Sequence, residues 1–384
     1  MNRALTALLG SALSLTAVDA RAFYQGEHAE LQGFSRIGHA QLRIPDHVLP
    51  GGSVSVSRGS VRLLGDVFAD GWPSLQFHGL IQAQGTTAPI PAGAPTRRLS
   101  TNLVDGRLTQ ITLDIDRLAL RYTAGLIDIQ LGRQPVNLAT TFFFTPNDFF
   151  NPFAAQAFFR IYKPGVDALR LDVELGELSR LTFISALGDD GPVHPSSSLP
   201  AELRDASALL QASTVLADVE LSAIGGRRGR SYVIGGSLTA EILGFGLRGE
   251  GHVAFFDDAG TCAEVSVGLE RRFENTLNLQ IEAFHHQAGS TGDDDESCAP
   301  ATAVNLYPSR HYVAAGAGYE ITPLLQGQAL VLVDASDRSV VASLYLVYSL
   351  HDELEAALVT SVPVRQGDRI PAPFVADVEL RAYF

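Results

Sequence analysis

No run of this chain reaches the roughly 18 to 20 uncharged apolar residues that a membrane-spanning helix needs, although 46% of its 384 residues are hydrophobic. Past the N-terminus, that absence leaves one membrane architecture, a β-barrel, whose lipid face uses only every second residue. Positive charge is also scarce. There are 28 Lys and Arg against 42 Asp and Glu, a formal net charge of −14, and Lys163 is the only lysine. A chain so acidic argues against nucleic acid as a partner and against docking on anionic lipid through a basic patch. Two cysteines, Cys262 and Cys298, without a histidine pattern around them make no zinc site. The adjacent pair His285 and His286 would face opposite sides of a strand, so they cannot chelate one metal together. No G-x-S-x-G, H-E-x-x-H or phosphate loop occurs. The sequence therefore argues against an enzyme and gives no sign of a metal or other cofactor.

What the sequence has in quantity is glycine, 36 residues, and ring side chains, 20 Phe and 10 Tyr, which suit tight turns, strands and aromatic girdles. Arg3, an apolar stretch over 4–18 and the A-x-A site Ala20-Arg21-Ala22 read as a secretory signal peptide over 1–22. Residues 23–384 are then the exported barrel. Export implies an oxidising compartment, where Cys262 and Cys298 are expected to form a disulfide.

The last stretch alternates with period two, the mark of a strand with one apolar and one polar face. Phe374, Ala376, Val378, Leu380, Ala382 and Phe384 share one side, and Asp377, Glu379, Arg381 and Tyr383 the other. A final strand stopping on an aromatic is how chains inserted into a bacterial outer membrane usually end. Tyr383 and Phe384 are therefore candidates for the signal read by the barrel-assembly machinery. Similar alternation predicts strands at 27–44, 53–66, 74–84, 108–122, 126–134, 167–175, 179–187, 205–214 and 217–224. It continues at 231–241, 245–256, 262–273, 276–287, 311–320, 326–334, 339–350 and 353–364. With the terminal strand this is an all-β fold, an antiparallel up-and-down transmembrane β-barrel of about 18 strands, with 16 as the alternative. Short turns fall at one end and longer polar loops at the other, as outer-membrane barrels require. Phe245, Phe273, Tyr348 and Phe384 are expected at the short-turn rim, and Phe255, Tyr312 and Phe374 at the other. Gly225–Arg230 reads as an external loop.

Between Leu131 and Leu171 the alternation stops. Pro135, Pro146, Pro152 and Pro164 preclude a ladder, and the stretch is crowded with phenylalanine. So apolar a loop is costly on a cell surface, so 135–166 is expected to fold inward as a constriction, with Phe149 and Phe150 in it. The order G-R-Q at Gly132–Gln134, then Pro146, Asp148, Phe150 and Pro152, then Gly165, Asp167, Ala168, Leu169 and Arg170 resembles porin-like barrels related to the alginate-export group. About 40 residues carry the likeness. The chain departs from the group at Asn137-Leu138, where a Trp-Gly is common. The resemblance implies a large single-chain barrel that moves a polar or anionic solute. A polyuronate substrate is not carried over, because the lumen is not dominated by arginine.

Parity places Asp114, Arg117, Arg121, Asp128, Arg170, Asp172 and Glu174 on the inner wall. Arg133 lies at the loop root, where Asp148 could pair with it. Such lumen charges replace part of a solute's hydration and set selectivity. The expectation is an outer-membrane channel for passive diffusion of small polar or charged solutes, in contact with outer-membrane lipid and lipopolysaccharide. The alternative is a non-conducting barrel acting as a scaffold or partner-binding protein.

Overall fold

The computed structural model describes residues 24–45, 52–69, 71–89, 99–158, 162–188, 205–256, 260–291, 298, 307–367 and 372–384. The expected signal segment 1–22 lies outside them. The strands in chain order are β1 (Tyr24–Gln25), β2 (Ala29–Arg43), β3 (Ser53–Val67), β4 (Ser74–Thr86) and β5 (Ser100–Asp105). Next come β6 (Thr109–Ala124), β7 (Ile127–Gln134), β8 (Val166–Glu174), β9 (Ser179–Ala186) and β10 (Ser207–Leu216). Then follow β11 (Val219–Arg228), β12 (Ser231–Ile242), β13 (Phe245–Phe256), β14 (Gly260–Arg272) and β15 (Asn278–His286). The last are β16 (His311–Thr322), β17 (Leu325–Asp334), β18 (Ser339–His351), β19 (Leu354–Arg365) and β20 (Phe374–Tyr383).

Eighteen of these strands form a closed antiparallel barrel, with β20 pairing β2 from Phe34↔Tyr383 to Arg43↔Phe374. Closure leaves no unpaired edge in the ring. All eighteen coincide with the strands that alternation predicts. The two additional strands are short. β1 adds only to the start of β2. β5 takes the edge of β6 at 110–114, above the point where β7 pairs it at 118–124. The six residues of β5, STNLVD, are too few to show a period.

The alternation has the expected physical result. On β14, Val265, Val267 and Leu269 are each more than 40% exposed on the outer face, while the inward Ser266 is buried and bonded to Glu282. Phe245, Phe255, Phe273, Tyr348 and Phe374 are exposed near strand ends. Two of the expected rim aromatics are not. Tyr312 points inward, its ring 5.9 Å from Phe144, and Phe384 is buried beside Gly33. A Cβ on Gly33 would lie 1.9 Å from the Phe384 ring, so a larger residue there would push the ring aside.

The basic stretch Gly225–Arg230 is mostly strand rather than loop. β11 runs to Arg228, and only Gly229 and Arg230 turn the chain into β12. Gly226 explains the extension. Its φ is +146° and a Cβ there would meet the Ala208 carbonyl at 2.2 Å. The backbone can approach β10 this closely only without a side chain.

Candidate functional site

Residues 135–158 leave the end of β7 and run along the inner face of the barrel, and residues 162–165 lead into β8. Two carboxylates hold the first half of this segment. Glu250 on β13 accepts the backbone N–H groups of Thr140, of Thr141 at 3.2 Å and of Asn147 at 3.1 Å. Glu282 on β15 accepts those of Phe142, Phe143 and Phe144 at 2.8, 3.2 and 2.6 Å, with the Ser266 hydroxyl at 2.7 Å. Five consecutive amides thus point at two buried anions. A loop away from water must place its N–H groups somewhere, and charge-assisted bonds to carboxylates are strong. Neither glutamate has an ion-pair partner among the described residues.

Apolar packing completes the attachment. Phe144 stacks on Phe284 at 5.0 Å in a cluster with Tyr307, Tyr312, Leu330 and Leu332. Val136, Leu138 and Phe149 pack against inward residues of β8 to β13. Phe149 stands edge-on to His252 at 5.0 Å, with the Arg228 guanidinium 5.1 Å from its ring. Phe150 and Asn151 line a cavity of about 240 Å³ that also reaches Arg133 and Arg228. Phe158 stacks on Tyr345 at 5.3 Å. Tyr162 lies 5.3 Å from Phe34 and 3.9 Å under the Arg62 guanidinium.

Arg133 and Asp148 do not pair. Arg133 engages its cross-strand neighbour Asp167 through two bonds of 2.8 and 3.0 Å. Asp148 pairs instead with Lys163. Register decides this, because Asp167 lies directly opposite Arg133 on β8. Burial pushes the Asp148 carboxyl up and the Lys163 ammonium down, and the partner's charge opposes each shift.

The other expected lumen charges lie on β6 to β8 and largely neutralise one another. Arg121 bonds Asp128 at 2.9 Å, Arg170 bonds Asp172 at 2.6 Å, and Glu174 reaches Arg180 at 3.7 Å. They form one patch on adjoining strands. Arg117 is buried under the segment and donates to the Lys163 carbonyl at 2.5 Å. Asp114 lines a cavity beside it. A bulge between Ile115 and Arg117 inserts Asp116, so that Asp114 and Arg117 share the inner face across an odd spacing.

Sequence reasoning missed the densest charge cluster, on β2, β3 and β20. Arg58 pairs with Asp377 and Glu379, and Arg381 bonds Glu379 at 2.8 Å and the Tyr345 hydroxyl at 2.6 Å. Arg36 lies 3.8 Å from Glu379, and Arg62 pairs with Asp116. Tyr383 donates to Glu355 at 3.1 Å. The signal was present in part, since Asp377, Glu379 and Arg381 alternate on the polar face of the last strand. Arg58 and Arg62, four apart, share a face in the same way.

Space follows this cluster. A cavity of about 440 Å³ is lined by Arg36, Arg62, Gln82, Asp114, Asp116 and Tyr162, among others. A second of about 220 Å³ is lined by Arg36, Arg58, Gln82, Gln84 and Gln110. The two share Arg36, Ser60, Gln82 and Thr112, so they run together along the inner wall of β2 to β6. Cys262 and Cys298 form a disulfide with 5.5 Å between their Cα atoms, tying the start of β14 to the connection after β15.

No family model matches the chain, and no curated protein matches it. Solved structures do. OccK9 (OpdG) of Pseudomonas aeruginosa is 11% identical over 93% of this chain and 98% of its own, with a TM-score of 0.60. OccK2 (OpdF) of the same organism is 11% identical over 94% and 99%, with a TM-score of 0.59, and has also been solved in complex with glucuronate. OccAB4 of Acinetobacter baumannii is 8% identical over 94% and 98%, with a TM-score of 0.57. At these identities the likeness is one of fold, and by its fold this chain is a porin-type eighteen-stranded β-barrel.

Proposed function

We propose that the chain is an outer-membrane channel through which small polar or charged solutes diffuse passively, with the 135–166 segment as its constriction. The observation that carries this reading is the pair of joined, polar-lined cavities along β2 to β6, beside a segment whose first half is held against the other wall. An exposed apolar outer face and a charged inner face support a site in the outer membrane. Transport needs no covalent step. Arg36, Arg58 and Arg62 on one side, with Asp114 and Asp116 on the other, replace part of a solute's hydration as it passes. Asp148, Phe149, Phe150 and Lys163 set the width from the segment. Arg117, Arg121, Asp128, Arg133, Arg170, Asp172 and Glu174 hold the wall around the segment root as ion pairs.

The same reading makes 1–22 an export signal, Tyr383 and Phe384 the mark for barrel assembly, and lipopolysaccharide the outer neighbour. Kinship with the alginate-export group rests on the motif residues between Gly132 and Arg170. Glucuronate, the ligand of one similar barrel, is a reasonable first charged solute to try. Single-channel recording of the purified protein in a planar bilayer tests the proposal. Discrete open steps, larger after deletion of 141–158, are expected. A silent bilayer with folded protein would favour the non-conducting scaffold, a reading that the Phe144 cluster and the apolar packing of Val136, Leu138 and Phe149 also support.

A further inference from the structure

A third cavity differs from the two along β2 to β6. It holds about 300 Å³ and lies between the segment and the short-turn ends of β15, β16 and β17. Phe142, Phe143 and Phe158 cover it, Asn278 and Gln280 form one flank, and Gln328 forms the other. No ionisable side chain lines it. Its floor is bare backbone. Gly318 pairs with Asn278 on one side and Gln328 on the other. Nothing lies within 4 Å of where a Gly318 Cβ would stand. The Phe143 ring sits over the next inward glycine, Gly316. Strands lie about 4.8 Å apart, so a row reading amide, glycine, amide leaves a trough about 10 Å wide between its two carboxamides.

None of the three carboxamides is engaged by another side chain, and the Asn278 Oδ1 is enclosed without any hydrogen-bond partner. Each carboxamide offers both a donor and an acceptor. An ion entering would lose hydration with no charged group in the lining to replace it. A purely apolar solute would leave these amides unpaired. A ring bearing neutral hydroxyls on its edge and C–H groups on its faces satisfies both the amides and the phenylalanines. We propose that this trough is a binding site for a neutral polyhydroxylated ring of hexose size, separate from the charged passage on the opposite wall. The proposal rests on the channel reading only for the solute's arrival and departure, not for the site itself.

D-glucose is the probe. Equilibrium dialysis of tritiated D-glucose against the detergent-solubilised barrel measures binding without requiring conduction. Saturable binding to the wild type is expected. Gln280→Ala with Gln328→Ala should weaken it about tenfold, as loss of hydrogen bonds at two side chains would. Gly318→Leu, which fills the trough, should abolish it. Should Gly318→Leu fail to fold, the double alanine variant carries the test alone. Glucuronate should not displace the bound sugar. Three results would overturn the proposal: no saturable binding by folded wild type, binding unaltered by both variants, or displacement by glucuronate at equal concentration. A barrel that conducts in a bilayer but binds no D-glucose removes the trough and leaves the channel. A silent barrel that binds it removes the channel and leaves the trough.

Discussion

The two inner walls of this barrel handle carboxylates in opposite ways. On β2, β3 and β20, Asp377 and Glu379 meet Arg58 of β3 and Arg381 of β20, and the space in front of Arg58 stays open. On β13 and β15, Glu250 and Glu282 have no cation within ion-pair distance among the described residues, and backbone amides of the segment occupy them. The first arrangement leaves fixed charge facing a passage. The second consumes its charge in holding a loop. One residue type is thus a lining group or an anchor, depending on whether its partner is a side chain or a backbone.

The largest effect is expected from breaking the anchoring wall. Glu250→Ala with Glu282→Ala leaves six backbone donors without their acceptors, a loss of at least about 3 kcal/mol of attachment per carboxylate. The segment should detach, and single-channel conductance should rise toward that of the 141–158 deletion. The next effect sharpens the contrast from the other side. Arg58→Ala leaves Asp377 and Glu379 short of a cation in front of the passage. The reversal potential in a salt gradient should move toward cation selectivity, with conductance changed by no more than about twofold.

Lys163→Met is expected to act more weakly. It removes the partner of Asp148 but leaves the six amide bonds to the glutamates, so it should increase open-state current noise with little change in mean current. The smallest effect on transport should come from Cys262→Ser with Cys298→Ser. That disulfide joins the start of β14 to Cys298, 36 residues on, and takes no part in the bonds of Glu250 and Glu282 to the segment. Its loss should lower unfolding resistance by about 2–4 kcal/mol and leave conductance unaltered.

The sequence made one of these walls far more legible than the other. Period-two alternation and turn residues locate all eighteen barrel strands, because each strand carries its own two-faced pattern. The inner face of β20 is readable for the same reason. What alternation cannot supply is register, which sets who stands opposite whom. Arg133 therefore reads as a plausible partner for Asp148, while the ladder gives it Asp167. The bulge at Asp116 is invisible for the same reason, being a property of two strands together. Glu250 and Glu282 leave the faintest trace. Their partners are main-chain amides of a proline-broken segment, and an amide has no residue type to recognise.

The central claim is that the segment seals the wall around Glu250 and Glu282 and leaves the route along β2 to β6. Cysteine accessibility during single-channel recording tests it most directly, since both native cysteines are bonded to each other. Gln82→Cys faces the open cavities. Ser266→Cys lies buried behind the segment beside Glu282. A charged methanethiosulfonate reagent should cut the current promptly through Gln82→Cys and leave Ser266→Cys unaffected. Rapid modification of Ser266→Cys, with Gln82→Cys silent, would place the route on the other wall and contradict the account.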